Sequence, residues 1–112
     1  MEEEAATAAQ GDRSDGLAYL FWTTGRERKS YVRLKPAGVT IGSGPRSDAV
    51  IADADMAPEQ ARIRNEDGAW FMYDLSAGGA TRLEGTDVYR AELHDGARVT
   101  LGHSSAIFRV LE

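Results

Sequence analysis

The sequence predicts an all-β domain, and three observations lead to this prediction. Short runs rich in apolar and β-branched residues recur from residue 17 onward, and segments that contain glycine separate them. Several runs alternate apolar and polar residues with a period of two, which is typical of antiparallel strands with one buried face. No segment shows convincing helical periodicity. We therefore expect a β-sandwich or a β-barrel.

Ten strands are predicted, in chain order, at 17–23, 30–34, 39–41, 49–51, 61–64, 70–75, 81–83, 91–93, 97–101 and 106–111. In the fifth run Arg62 and Arg64 share one face, and the apolar residues between them share the other. The last two runs also place their apolar residues on one face: Ala97, Val99 and Leu101, then Ala106, Phe108 and Val110. The segments 65–68 and 94–96 are predicted to be hairpin loops. Pro58 favours a loop or an edge segment at 56–60.

The charge of the chain is concentrated at its N-terminus. The chain has 112 residues and a formal net charge of −5. Residues 1–16 carry five acidic residues and one arginine, a net charge of −4, and contain no large aliphatic residue except Met1 and no aromatic residue. Such a segment buries too little apolar surface to offset its ordering entropy. We expect a disordered acidic tail over 1–16 and one folded domain over 17–112.

The composition excludes several classes of function. The predicted domain carries 12 basic and 13 acidic residues, so it lacks the basic surface of a nucleic-acid-binding protein. No apolar run approaches the roughly 18 residues of a membrane span, so no membrane insertion is expected in this segment. The N-terminus does not resemble a signal peptide, which favours a cytoplasmic location. Without cysteine, the chain has no disulfide, no thiolate metal site and no thiol nucleophile.

No catalytic or cofactor site is predicted. His94 and His103 fall in predicted turns, and no serine–histidine–aspartate arrangement is supported by their spacing. Asp53 and Asp55 form an acidic turn that could touch a cation, but the glycine and glutamate of a calcium loop do not follow. The glycine-rich segment 42–44 is followed by neither a lysine nor a helix, unlike a phosphate-binding loop. We expect a protein that is not an enzyme and that uses no metal or cofactor.

Several short motifs follow one another in a characteristic order and spacing. They are Ile41-Gly42-Ser43, Ser47-Asp48-Ala49-Val50-Ile51, Ala57-Pro58-Glu59-Gln60-Ala61, Gly68-Ala69-Trp70, Asp74-Leu75-Ser76-Ala77-Gly78-Gly79-Ala80-Thr81, Gly85, Leu93-His94-Asp95-Gly96-Ala97 and Leu101-Gly102. Over residues 31–111 this ordered set resembles the forkhead-associated (FHA) domain family. The resemblance implies an FHA-like β-sandwich of two antiparallel sheets with about eleven short strands. It also implies that loops at one end occupy the place where the family binds a phosphothreonine peptide.

The chain departs from the family pattern at the positions that bind the ligand. The resemblance implies that the two phosphate-contacting residues, an arginine and a serine, are replaced by Ser43 and Ala57. Gly79 replaces the asparagine that holds the peptide backbone. Gln60 replaces the histidine that orders the loops, and Ala80 replaces the glycine after the asparagine. Losing two or three charge-assisted hydrogen bonds removes about 4–8 kcal/mol, whereas a micromolar complex has only about 8 kcal/mol in total.

The leading hypothesis is therefore a degenerate FHA-like module that binds a protein or peptide partner without phosphorylation. It would act as a regulatory or assembly domain, either on its own or as part of a larger protein. The positions of the phosphopeptide site, which we expect to be vestigial, are Ser43, Arg46, Ala57, Pro58, Gln60, Gly79, Ala80 and Thr81. In this hypothesis Ala57 and Pro58 shape a loop, and Gly79 supports a positive φ.

Two alternatives remain open. In the first, Arg46 lies three residues after Ser43 and rebuilds an anion site with the hydroxyls of Ser43, Ser47 and Thr81, so that the domain still binds phosphothreonine. In the second, the acidic tail folds back on the loop end as a phosphate mimic and regulates the domain.

Two pairs of neighbouring aromatic residues indicate a partner surface. Phe21 and Trp22 are adjacent, as are Trp70 and Phe71, and adjacent strand residues point to opposite faces of a sheet. One member of each pair is therefore expected at the surface.

Overall fold

The computed structural model describes residues 17–24 and 28–111, which form eleven strands in two sheets that pack against each other. In chain order the strands are β1 (Leu17–Thr24), β2 (Arg28–Arg33), β3 (Val39–Gly42), β4 (Ala49–Val50), β5 (Ala61–Glu66), β6 (Ala69–Asp74), β7 (Thr81–Leu83), β8 (Thr86–Asp87), β9 (Arg90–Leu93), β10 (Arg98–Leu101) and β11 (Ser104–Leu111). The prediction of an all-β sandwich is confirmed. The sequence missed only the two-residue strand β8, which is too short to show alternation.

The two sheets have different sizes and topologies. The larger has six strands in the order β2-β1-β11-β10-β7-β8, and the smaller has five in the order β4-β3-β5-β6-β9. The strand pairs are antiparallel with one exception, since β3 and β4 run parallel. The expectation of purely antiparallel sheets is corrected at this pair. Ser43–Asp48 carries the chain back over β3, so that the next strand runs in the same direction.

The core lies between the sheets and is built from the inward-facing residues, which alternate with outward-facing residues along each strand. Ala18, Leu20 and Trp22 of β1 are buried, as are Ala61 and Ile63 of β5. The faces predicted for the last two strands are also confirmed: Val99, Leu101, Ala106 and Phe108 are almost completely buried, and Ala97, just before β10, is 9% exposed. The ring of Trp70 in the smaller sheet lies 6.3 Å from that of Phe108 in the larger. Alternation therefore determined which side chains fill the sandwich.

The two predicted hairpin loops have different outcomes. Asp67 and Gly68 join β5 to β6 and have φ angles of 55° and 93°, as a two-residue hairpin turn with two positive φ values requires. The segment 94–96, in contrast, does not close a hairpin. It joins β9 in the smaller sheet to β10 in the larger one, so this prediction was wrong. Both segments end in Asp-Gly, but the strands that flank 94–96 pair with neighbours in different sheets.

The predicted acidic tail over residues 1–16 lies outside the described residues. Within residues 17–24 and 28–111, no helix has the length and the apolar character that a membrane crossing requires.

Candidate functional site

Three loops meet at one end of the sandwich. They follow β3 (43–48), β4 (51–60) and β6 (75–80). The backbone N–H groups of Ser43 and Gly44 donate to the carbonyl oxygens of Ala57 (3.0 Å) and Pro58 (3.1 Å), which joins the first loop to the second. The N–H of Leu75 donates to the carbonyl oxygen of Gln60 at 2.9 Å, which joins the second loop to the third. The loops therefore form one continuous surface.

Gly42 allows the first two loops to come this close. A Cβ atom at position 42 would lie 2.0 Å from the carbonyl oxygen of Pro58 and 2.6 Å from Oγ of Ser47. The hydroxyl of Ser47 itself donates to the Pro58 oxygen at 2.7 Å. Glycine is required here because the backbone of the second loop occupies the space of a side chain.

Gln60 holds the three loops together through its buried side chain, which is only 1% exposed. Its Oε1 atom accepts a hydrogen bond from the N–H of Ala57 at 2.7 Å. Its Nε2 group donates to Oγ1 of Thr81 at 2.7 Å and to the carbonyl oxygen of Gly79 at 3.2 Å. These bonds satisfy both ends of the amide, so a buried polar group does not destabilise the site. The amide thus connects the second loop to the turn that precedes β7.

Asp74 extends this network at the end of β6. The hydroxyl of Thr81 donates to its Oδ1 atom at 2.8 Å, and Oγ of Ser76 lies 2.7 Å from the same atom. Burial raises the pKa of Asp74, but the hydrogen bonds from Ser76 and Thr81 and from the backbone outweigh it and hold the pKa below its usual value. The carboxylate is therefore ionised and structural.

A groove of about 520 Å³ opens on the surface of these loops. Its lining residues are Gly44, Pro45, Arg46, Ala57, Pro58, Glu59, Leu75 and Ser76. Three of the predicted site residues, Arg46, Ala57 and Pro58, are thus brought together. Arg46 is exposed, and it has no hydrogen bond or ion pair within the part of the chain that the structure describes.

The other predicted site residues do not line the groove. The hydroxyl of Ser43 donates to the carbonyl oxygen of Met56 at 2.8 Å, so it supports the loop. Gln60 and Thr81 are buried in the network. Gly79 and Ala80 form the turn before β7 with φ angles of 87° and 68°, and the positive φ predicted at Gly79 is present.

Five residues of the groove were missed by sequence reasoning: Gly44, Pro45, Glu59, Leu75 and Ser76. Glu59 places a carboxylate in the lining, and Leu75 places an aliphatic side chain there that is 44% exposed. Both stand inside the motifs discussed above. The alternation of apolar and polar residues could not identify them, because loop side chains do not follow a period.

A second cluster of polar residues lies away from this groove. Ligand atoms of Asp53, Asp55 and His103 all lie within 4.8 Å of one another, so these are the described residues whose geometry could hold a metal ion. However, both carboxylate oxygens of Asp53 already accept hydrogen bonds, from the N–H groups of Asp55 and His103 and the hydroxyl of Ser104. Burial raises the pKa of Asp53, but these bonds outweigh it and lower the pKa. The cluster ties the second loop to the β10–β11 turn.

The family model of the FHA domain matches residues 39–102, which is more than half of the chain. This chain belongs to the FHA domain family. FHA domains are non-catalytic protein-interaction modules. A search of curated protein sequences found no matching relative.

Solved structures confirm the FHA fold. An FHA domain from a structural and functional analysis of phosphothreonine-dependent FHA interactions is 24% identical, with a TM-score of 0.76 over 86% of this chain and 98% of that one. The FhaA FHA domain, complexed with the intracellular domain of Rv3910, is 25% identical, with a TM-score of 0.69 over 82% and 99%. The cytoplasmic domain of the type III secretion sorting-platform protein PscD from P. aeruginosa is 22% identical, with a TM-score of 0.71 over 85% and 81%.

Proposed function

We propose that this FHA domain binds a protein partner through a contact that does not depend on phosphothreonine, and that it acts as a regulatory or assembly module. The observation that carries the proposal is the state of the two positions that resemble the phosphate contacts of the family. Ser43 uses its hydroxyl to hold the carbonyl oxygen of Met56, and Ala57 has a methyl group in place of a donor. Neither side chain can donate a hydrogen bond to a phosphate in this arrangement.

The charge of the groove supports the same conclusion. A phosphothreonine brings a charge of about −1.5 to −2 and needs charge-assisted donors. The groove lining contains one cation, Arg46, and one carboxylate, Glu59. Their formal charges cancel, and the exposed Leu75 adds apolar surface. Such a groove suits an uncharged or weakly charged peptide.

One of the similar structures supports a protein partner. The FhaA FHA domain, at 25% identity, is complexed with an intracellular protein domain. By analogy we place this domain in the cytoplasm, as part of a larger assembly or a longer protein. Its partner is a protein or peptide, and neither nucleic acid nor direct membrane insertion is part of the proposal.

A second candidate is a phosphothreonine reader that uses Arg46. The position of Arg46 in the groove, together with its exposed and unpaired guanidinium among the described residues, favours this candidate. One cation contributes about 1.5–3 kcal/mol of binding free energy through a charged hydrogen bond. A micromolar complex requires about 8 kcal/mol in total, so Arg46 alone does not supply enough.

A phosphothreonine peptide library, measured by fluorescence anisotropy, separates the two candidates. We expect no saturable binding to the wild-type domain and saturable binding after the double change Ser43→Arg and Ala57→Ser, which restores two charged-group contacts. Saturable wild-type binding that Arg46→Ala abolishes, and that Arg82→Ala leaves intact, would establish the reader instead. Arg82 is a matched control because it is exposed on the larger sheet and pairs with Asp87 at 2.9 Å.

Regulation by residues 1–16 stays a prediction. If this acidic segment occupies the loop end as a phosphate mimic, its deletion must change the backbone amide chemical shifts of residues 43–48 and 57–60. Unchanged shifts in those loops would rule the regulation out. The segment contains a single threonine, Thr7, so Thr7→Glu tests whether phosphorylation there would strengthen the contact.

A further inference from the structure

An aromatic cluster lies open on the outer face of the six-stranded sheet. Tyr19 and Phe21 of β1 and Tyr31 of β2 point away from the core, with ring centroids 5.8–5.9 Å apart. Phe21 is 38% exposed and Tyr31 is 65% exposed. Ile107, directly opposite Phe21 on β11, extends the apolar surface. Contiguous apolar surface of this kind marks interaction sites on soluble domains.

On the outer face of the smaller sheet, arginine side chains cover the aromatic rings. The guanidinium of Arg90 lies 4.1 Å from the ring centroid of Phe71, and that of Arg64 lies 5.0 Å from the ring of Tyr73. Glu66 accepts hydrogen bonds from Arg64 and Tyr73 and holds this arrangement together. These rings are therefore covered by the chain's own cations. No guanidinium covers Tyr19, Phe21 or Tyr31 within the described part of the chain.

Cations that form no ion pair with a described residue surround the open aromatic cluster. Arg33 is opposite Tyr19, Lys29 is opposite Thr23, and Arg98 is opposite Ile107, all in strand positions that face outward. None of these three cations forms an ion pair with a described residue. Arg82 and Arg109 on the same sheet do pair, with Asp87 and Asp95. Among the described residues, these three cations therefore have no carboxylate partner.

A groove of about 960 Å³ adjoins the cluster, and its lining includes Phe21, Ile107, Lys29 and Arg98. Asp53 and Asp55 also line it. Both carboxylates are engaged within the chain, since Asp53 accepts three hydrogen bonds and Asp55 lies 2.7 Å from Nδ1 of His103. The groove thus combines an apolar floor with cations that have no partner among the described residues.

We propose that this outer face, defined by Tyr19, Phe21, Lys29, Tyr31, Arg33, Arg98 and Ile107, docks an acidic protein segment that carries apolar side chains. Complementary charge selects the acidic partner, and the open rings receive its apolar side chains. β2 is also one of the two edge strands of its sheet, and its outer backbone edge pairs with no described strand, so an extended segment can pair with it. A second copy of the chain is disfavoured, because a two-fold contact would bring the same cations together.

The surface is separate from the loop-end groove, so the proposal does not rest on the function proposed above. The test is fluorescence anisotropy with a labelled short peptide in which glutamate alternates with leucine around one tryptophan. The matched probe replaces every glutamate by lysine. We expect saturable binding of the acidic peptide, little binding of the basic one, and backbone amide shifts concentrated in β1, β2 and β11.

Variants identify the face. Tyr31→Ser and Arg33→Glu should each weaken binding of the acidic peptide by about tenfold or more, which is the usual effect of losing a contact at the centre of an interface. Tyr89→Ser is the matched aromatic control, because Tyr89 is 84% exposed and does not belong to the face. Arg46→Glu is the matched charge control in the loop-end groove. Dispersed amide spectra of all variants would show that they fold.

Four outcomes would overturn the proposal. They are the lack of saturable binding, equal binding of both peptides, loss of binding only in Arg46→Glu, and tighter binding of oligothymidylate than of the acidic peptide. Self-association that sedimentation detects and Tyr31→Ser abolishes would assign the face to a second copy of the chain instead.

Discussion

Gln60 donates a hydrogen bond of 2.7 Å to Thr81, and both side chains are only 1% exposed. The bond connects the second loop to the first residue of β7, which directly follows the third loop, across 21 residues of sequence. Because the other end of the Gln60 amide holds the N–H of Ala57, a single side chain determines how the loops are arranged. The loop end is therefore ordered by hydrogen bonds within the chain itself.

Gln60→Ala is expected to lower the free energy of unfolding by about 1–3 kcal/mol, because it leaves buried polar groups without partners. Urea denaturation measures this change. Glu59→Ala is the matched control, since its side chain is exposed in the same loop, and it should change stability by less than about 0.5 kcal/mol. Equal stability of Gln60→Ala and wild type would show that the network contributes nothing to the fold.

Ala80→Gly is expected to stabilise the domain by about 0.5–1 kcal/mol. Ala80 has a φ of 68°, where a residue with a Cβ atom is strained by about 1–2 kcal/mol, and glycine recovers most of that energy after its larger entropy loss. The reverse change at the preceding position provides the control. Gly79→Ala, at a φ of 87°, should destabilise the domain by about 1 kcal/mol, since no atom lies within 4 Å of its Cβ position and only the backbone is strained.

Thermal unfolding of the two variants shows whether each change raises or lowers the stability of the domain. Midpoints that move in the same direction for Ala80→Gly and Gly79→Ala would contradict the assigned backbone conformation of this turn.

Gly42→Ala is expected to destabilise the domain by about 3 kcal/mol or more, because its Cβ atom would collide with the carbonyl of Pro58 and overpacking against backbone cannot relax easily. Gly78→Ala is the matched control. Its φ is not positive and its nearest contact would be 3.8 Å away, so it should be tolerated. Urea denaturation compares the two variants. A Gly42→Ala protein as stable as Gly78→Ala would refute the close approach of the first two loops.

Acidification is expected to destabilise the domain through Asp74. Hydrogen bonds hold its folded pKa below the unfolded value, so the unfolded state binds more protons as the pH falls. This contribution is fully present above the unfolded pKa, about 3.9, and is lost as the pH falls through the folded pKa. Urea midpoints between about pH 2.5 and 7 measure the loss.

Asp74→Asn should be less stable than wild type at neutral pH and should lose less stability in acid. The variant Asp67→Asn removes a carboxylate from an exposed turn and serves as the control for charge loss alone. An acid slope of Asp74→Asn equal to that of wild type would mean that other groups cause the acid sensitivity.

Much of the fold was readable from the sequence because strand alternation and glycine turns are local signals. The faces of β5, β10 and β11 were predicted residue by residue, and the order of the FHA motifs placed the loops that form the groove. Alternation also required that one of Phe21 and Trp22 face outward. It could not decide which, since both are large and apolar. The register of β1 between β2 and β11 places Trp22 in the core and leaves Phe21 outside.

Other features depended on contacts between distant segments. The turn at 94–96 has the composition of a hairpin loop, but it changes sheets because its flanking strands find different neighbours. Asp55 meets His103 across 48 residues, and Gln60 meets Thr81 across 21. The sequence by itself thus determined ten of the eleven strands and their buried faces, since each depends on residues close in the chain. Only the tertiary structure decided what Gln60 holds and which cations and aromatic rings have a partner among the described residues, because these depend on what lies across the sheet.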